Sequence, residues 1–146
     1  MSIGLGSDHA GYSLKKYLLE YLTSEYPNIK FRDFGCPSDK VSVDYPNIAQ
    51  DLCKALTDNE IQRGILICGS GIGISIAANR FKGIRASLCQ DIFAAKLTRE
   101  HNDSNVLCLG NWFVTPKMAE QIANTWINTE FHGDKHLRRV ELIDSI

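Results

Sequence analysis

The 146-residue chain reads as an α/β protein: a doubly wound, five-stranded parallel sheet with helices on both faces. Three features lead there. Short apolar runs alternate with longer amphipathic stretches along the whole length. The run RGILIC, residues 63–68, lacks polar alternation, as a parallel strand covered on both sides does. No linker, repeat or low-complexity segment interrupts the pattern, so residues 1–146 form one domain.

The first strand is IGLGS, residues 3–7. After it, Leu14, Tyr17, Leu18, Tyr21 and Leu22 recur at helical spacing until Pro27 stops the run. Residues 29–35 alternate Ile29, Phe31 and Asp33 against Lys30, Arg32 and Phe34, which predicts a half-buried strand closed by Gly35. A loop containing VDYP precedes a helix with Ile48, Leu52, Ala55 and Leu56 on one face. The strand 63–68 leads through a glycine turn into a helix ending near Ala78. The fourth strand is expected at 83–89, followed by a helix that Asp91 caps, and the fifth at 104–110. Thr115 is an N-cap with Pro116 at the first helical position, and a last helix follows Gly133.

Composition narrows the function. A hydrophobic fraction of 44% and a charged fraction of 23% belong to a globular protein. A net charge of -1 argues against a nucleic-acid binder that relies on overall basicity. No apolar run approaches the roughly 20 residues of a membrane span, and the N-terminus has no basic-then-apolar leader, so a cytoplasmic location is expected. Cys36, Cys53, Cys68, Cys89 and Cys108 are odd in number and form no CxxC pair. That favours neither a disulfide framework nor a metal site, and any one of them can be a small core residue.

In such sheets ligands bind beyond the carboxyl ends of the strands, which selects Asp8-His9, Cys68 to Gly73 and the turn near Gly110. The loop Gly69-Ser70-Gly71-Ile72-Gly73 brings free N–H groups close to a ligand and suits a phosphate or a developing oxyanion. It matches neither GxGxxG, since Ile74 stands where glycine is needed, nor a P-loop, since no GK[ST] follows. Cys68, beside a helix N-terminus, is either a core thiol or one whose thiolate the dipole favours. Asp8 is either an N-cap or a ligand contact, and His9 at the same terminus can meet a phosphate. Asp44 and Tyr45 fall in the loop after the second strand. His101 and Asn102 lie at a helix end, where histidine commonly serves the dipole. In GDKHLRR, Lys135, His136, Arg138 and Arg139 are either a solvated basic face or, with Lys135 and Arg139 one turn apart, a grip on a dianion.

Taken together, SDHAG, DYP, GILICGSGIGISIAANRFKGIRA, REHND with NVL, and RRVELI resemble the type B ribose-5-phosphate isomerases. These share a superfamily with the galactose-6-phosphate isomerase subunits. The resemblance runs from Ile3 to Ile143. It implies a Rossmann-like, cofactor-free intramolecular oxidoreductase acting on a sugar phosphate. The assembly it implies is a homodimer or homotetramer with active sites at the subunit interface and the helix 134–145 near that interface. By similarity, Cys68 is the base that moves a proton between C2 and C1 through a cis-enediolate, and Gly69, Ser70, Gly71, Ile72 and Gly73 form the anion hole. Some members carry a glutamate further along the loop, where Ser75 offers no carboxylate. Ser70 moves a proton between O1 and O2, Asp8 and Tyr45 contact the sugar, and His101 with Asn102 opens the furanose ring. His9, Lys135 and Arg139, with Arg138, bind the phosphate. Lys135 and Trp112 stand where relatives often carry arginine. The alternatives are the same reaction on a six-carbon aldose phosphate (allose or galactose 6-phosphate) and a non-catalytic nucleotide- or sugar-phosphate-binding module.

Overall fold

A computed structural model describes all residues, 1–146. Its strands are β1 (Ser2–Ser7), β2 (Lys30–Asp33), β3 (Arg63–Cys68), β4 (Ala86–Leu88) and β5 (Val106–Gly110). Its helices are α1 (Tyr12–Glu25), α2 (Tyr45–Thr57), α3 (Ile72–Ala78), α4 (Ile92–Asn102), α5 (Pro116–Asn128) and α6 (Lys135–Asp144), and a single 3-10 turn spans His9–Gly11. All strand pairs are parallel, in the order β2-β1-β3-β5-β4.

That order dictates which face each helix covers. A parallel crossover is right-handed, so helices whose chain moves one way along the sheet lie on one face and the rest on the other. Leu14, Leu18 and Leu22 of α1, Ala95 of α4, and Ala119, Ile122 and Trp126 of α5 accordingly pack on Ile65, Ile67, Leu107 and Leu109. Ile48 and Leu52 of α2 and Ile74 and Ala78 of α3 pack on Leu66, Cys68, Val106 and Cys108. Neighbouring residues of β3 and β5 thus feed opposite cores, which is why both strands read as unbroken apolar runs. The sixth helix packs on α4, outside both layers.

Three elements differ from expectation. The second strand is four residues long and mostly exposed, because it is an edge strand paired only with β1. Its Lys30, Arg32 and Asp33 suit an edge that must not recruit another strand, while Phe31 and Phe34 pack on opposite cores. The fourth strand begins only at Ala86, since the Arg85 backbone is taken by the Asn105 side chain and N–H. Tyr45 opens α2 rather than ending a loop, with Pro46 in its first turn. Capping follows the sequence elsewhere: Asp91 accepts from the Ala94 N–H and Thr115 from the Met118 N–H.

Candidate active site

From β1 the chain turns back toward the β2 edge, and from β3 it departs the other way, so the loops after these neighbouring strands diverge. The gap between them is the crevice where ligands of doubly wound sheets bind. Here it is a cleft of about 390 Å³ whose walls include Asp8, His9, Tyr45, Cys68, Ser70 and Trp112.

The floor is the loop after β3. Gly71 holds φ at +76°, and a Cβ there would lie 2.8 Å from the Leu109 carbonyl carbon and 2.6 Å from Leu88, so only glycine fits. Its N–H donates to Cys68 Sγ at 3.1 Å, and the Ile72 N–H donates to Ser70 Oγ at 3.1 Å. Two of the five expected anion-hole donors are therefore engaged within the loop. The N–H groups of Gly69, Ser70 and Gly73 have no acceptor in the chain and remain free for a ligand.

Cys68 is set apart from the other cysteines by its surroundings. All five are free and buried, but Cys68 also lines the cleft. Burial pushes the Cys53 and Cys89 thiols up to about 12 and raises Cys108 well above the ordinary thiol value. Those three are core residues, inert as bases at neutral pH.

Asp8 is 6% exposed and caps the 3-10 turn, its Oδ1 accepting from the Gly11 N–H at 3.0 Å. The cap and the cleft-facing roles coincide in one carboxylate. His9 Nδ1 accepts from the Val43 N–H at 3.1 Å, so in the neutral ring the proton sits on Nε2, a donor available to a ligand. The Tyr45 ring lies against Gly73, where a Cβ would come within 2.6 Å of it. The Trp112 indole lies against Gly69 in the same way, and the Trp112 backbone N–H donates to the Gly69 carbonyl. Beneath this wall Lys15, a residue that periodicity alone assigns to a helix surface, is fully buried. It donates to Asp33 Oδ1 and to the Cys36 carbonyl, both at 2.8 Å, and so ties the β2–α2 loop to α1.

The remaining candidates do not line this cleft. His101 and Asn102 end α4, which starts level with the carboxyl ends of the strands and runs about 16 Å toward their amino ends. Arg85, just before β4, accordingly donates to the Asn102 and Asp103 carbonyls. Lys135, Arg138 and Arg139 are exposed on α6 beside this end of α4. Arg85 also grips Asp144 with bonds of 2.8 and 2.7 Å, fastening α6 to the same corner. His136 stacks on His101 with ring centres 4.2 Å apart and planes 12° apart, and His132 meets His101 edge-on at 6.4 Å. The expected site residues thus divide into two groups at opposite ends of the sheet. No three His, Cys, Asp or Glu side chains are grouped as metal ligands.

Residues 3–143 match the model of a family described as Ribose/Galactose Isomerase. The chain belongs to this family. Among the similar proteins of this ribose/galactose isomerase family is the ribose-5-phosphate isomerase B of Escherichia coli, 40% identical across 99% of the chain and 95% of that protein. The putative sugar phosphate isomerase YwlF of Bacillus subtilis is 43% identical across 96% of the chain and 93% of that protein. A solved structure of Clostridium thermocellum ribose-5-phosphate isomerase B superposes with a TM-score of 0.95 at 43% identity, covering 99% of the chain and 96% of that structure. The fold is Rossmann-like, as that family's is.

Proposed function

We propose that the chain is an aldose–ketose isomerase that interconverts ribose 5-phosphate and ribulose 5-phosphate, with Cys68 as the base. The observation that carries this reading is the placement of Cys68: of five buried thiols it alone is in the cleft wall, and it takes the Gly71 N–H. The similar proteins named above supply the substrate.

In the ring-opened aldose, the Cys68 thiolate removes the C2 proton. The electron pair forms the C1=C2 bond and leaves negative charge on O1. The free N–H groups of Gly69, Ser70 and Gly73 receive that charge, each worth about 3 kcal/mol on the scale of oxyanion-hole donors. The Gly71 N–H holds the sulfur in place while it changes charge. Ser70 passes the O2 proton to O1, the C2 carbonyl forms, and the thiol returns its proton to C1. Asp8 and Tyr45 hold the sugar hydroxyls, and His9 donates from Nε2 to the phosphate.

His101, Asn102, Lys135, Arg138 and Arg139 then act from a second copy of the chain, in a homodimer, or a tetramer of paired dimers, whose partner places its α4–α6 corner and the helix 134–145 over the cleft. The separation of the two groups in one chain supports this, as do the exposed apolar side chains of the cleft wall, Ile72 and Trp112. Lys135 offers a point charge rather than a bidentate fork, and Trp112 offers an apolar wall. No helix is long and apolar enough to cross a membrane, in keeping with action in the cytoplasm as a single isomerase domain.

The test is turnover on ribose, allose and galactose phosphates, with and without chelator, by the parent chain and Cys68→Ala. The reading predicts dominant five-carbon activity and a loss of at least about a hundredfold in kcat for the variant, the scale of a general base. Near-normal turnover of Cys68→Ala would remove that residue from the mechanism, and dominant six-carbon activity would overturn the substrate.

A further inference from the structure

The α4–α6 corner contains an aromatic pair to which the proposed mechanism assigns only one member. His101 is the last-turn histidine of α4, and the ring lying flat on it belongs to His136, in the first turn of α6. The stack is anchored from both sides. Arg85 joins the end of α4 to Asp144 of α6, and the His132 N–H donates to the Glu100 carbonyl at 3.1 Å. His132 Nε2 also lies 3.4 Å from Glu100 Oε1.

We propose that His136 is a positioning residue: its ring fixes the plane of the His101 imidazole so that the latter can transfer the proton that opens the furanose. This rests on the reading that His101 opens the ring. An imidazole on a helix end turns freely about its χ angles unless a neighbour restrains it, and a misplacement of about 1 Å in a proton-transferring group costs on the order of a hundredfold in rate. A flat partner restrains the ring plane without taking either ring nitrogen, so both stay available for proton transfer. An ion-paired or hydrogen-bonded partner would occupy one of them.

The charges around the pair favour an uncharged His136. His101 of α4 and His132 from the loop after α5 face it, Lys135 and Arg139 flank it on α6, and Glu100 pairs with His132. Desolvation, then His101, Lys135, Arg139 and His132, hold His136 below the usual histidine value. At neutral pH it therefore stacks as a neutral aromatic ring and adds no positive charge beside His101.

The experiment compares the parent enzyme with His136→Ala, His136→Phe and His101→Ala on ribose 5-phosphate carrying hydrogen or deuterium at C2. Affinity for 5-phosphoribonate, an acyclic analogue, serves as a control for an intact phosphate site. The expected result is a loss of at least about tenfold in kcat for His136→Ala, near-parental kcat for His136→Phe, and unchanged analogue affinity. The C2 deuterium isotope effect should fall in His136→Ala and in His101→Ala, because ring opening then limits turnover instead of proton abstraction. Parental kcat in His136→Ala, a His136→Phe as impaired as the alanine variant, or lost turnover with an undiminished isotope effect would overturn the proposal. An undiminished isotope effect in His101→Ala would instead defeat the ring-opening role of His101 itself.

Discussion

Ser7 and Cys68 end adjacent parallel strands, and both are almost wholly enclosed, yet their polar atoms differ in what they meet. Ser7 Oγ has no hydrogen-bond partner, whereas Cys68 Sγ receives the Gly71 N–H. A buried hydroxyl without a partner carries a desolvation cost of about 1–3 kcal/mol. Ser7→Ala should therefore match or exceed the parent in urea midpoint, and a clear loss of stability would show that the hydroxyl is satisfied. Gly71→Ala should behave in the opposite way. The left-handed conformation alone costs a residue with a Cβ about 1–2 kcal/mol, and contact with the Leu109 backbone adds to it. Its midpoint should drop and its kcat with it, since the same residue positions the sulfur; parental values of both would contradict this account of the loop. The glycines of this turn were legible in the sequence as a corner where the backbone must approach something closely. Which N–H groups are already engaged was not legible, because that depends on where Cys68 and Ser70 direct their polar atoms.

Among the elements, the periodic helices and the buried strands β1, β3 and β5 are legible in the sequence, and the edge strands β2 and β4 less so. The helices α1, α2 and α5 each bury several residues at i, i+3 and i+4 spacing, and the caps of α5 at Thr115 and of α4 at Asp91 have visible chemistry. The second strand is more exposed than its alternation predicts, because alternation reports a face, not whether a neighbouring strand or helix arrives to cover it. Lys15 was invisible for the same reason: a lysine on a helix reads as surface unless its partner, here Asp33, is known in space. The corner of α4 and α6 carries a pH dependence. His136 has its value held below the ordinary 6.5, so the unfolded chain binds more protons than the folded one on the acid side of 6.5. Stability from this site is complete above about pH 6.5 and declines as the pH falls below it. Glu120, lowered by hydrogen bonds from Lys117 and then Tyr17, loses its contribution in a separate, more acidic window, as the pH falls through and below 4.5. Urea midpoints followed from neutral pH to about pH 5.5 should fall more in the parent than in His136→Phe. Equal slopes for the two would contradict the assignment.

Across the whole molecule, the parallel topology sets where the two groups of candidate residues lie. The switch between β1 and β3 gathers Asp8, His9, Cys68 and Ser70 at the carboxyl ends of the strands. The crossover from β4 to β5 sends His101 and Asn102 to the amino ends, next to the basic residues of α6. Every one of these residues was recognisable in the sequence by type and spacing. Their division into two groups follows from the parallel crossover: a helix that joins two parallel strands finishes at their amino ends, so residues that close α4 lie far from those that follow β1 and β3. In the function proposed above, one copy supplies the cleft and another the basic corner. Mixing the impaired variants Cys68→Ala and His101→Ala under conditions that exchange subunits tests this directly. If each site takes Cys68 from one chain and His101 from the other, a mixed dimer holds one doubly damaged site and one intact site. Turnover of ribose 5-phosphate should then recover to about a quarter of the parental value after random exchange in a twofold assembly. Exchange without any recovery would contradict the shared site.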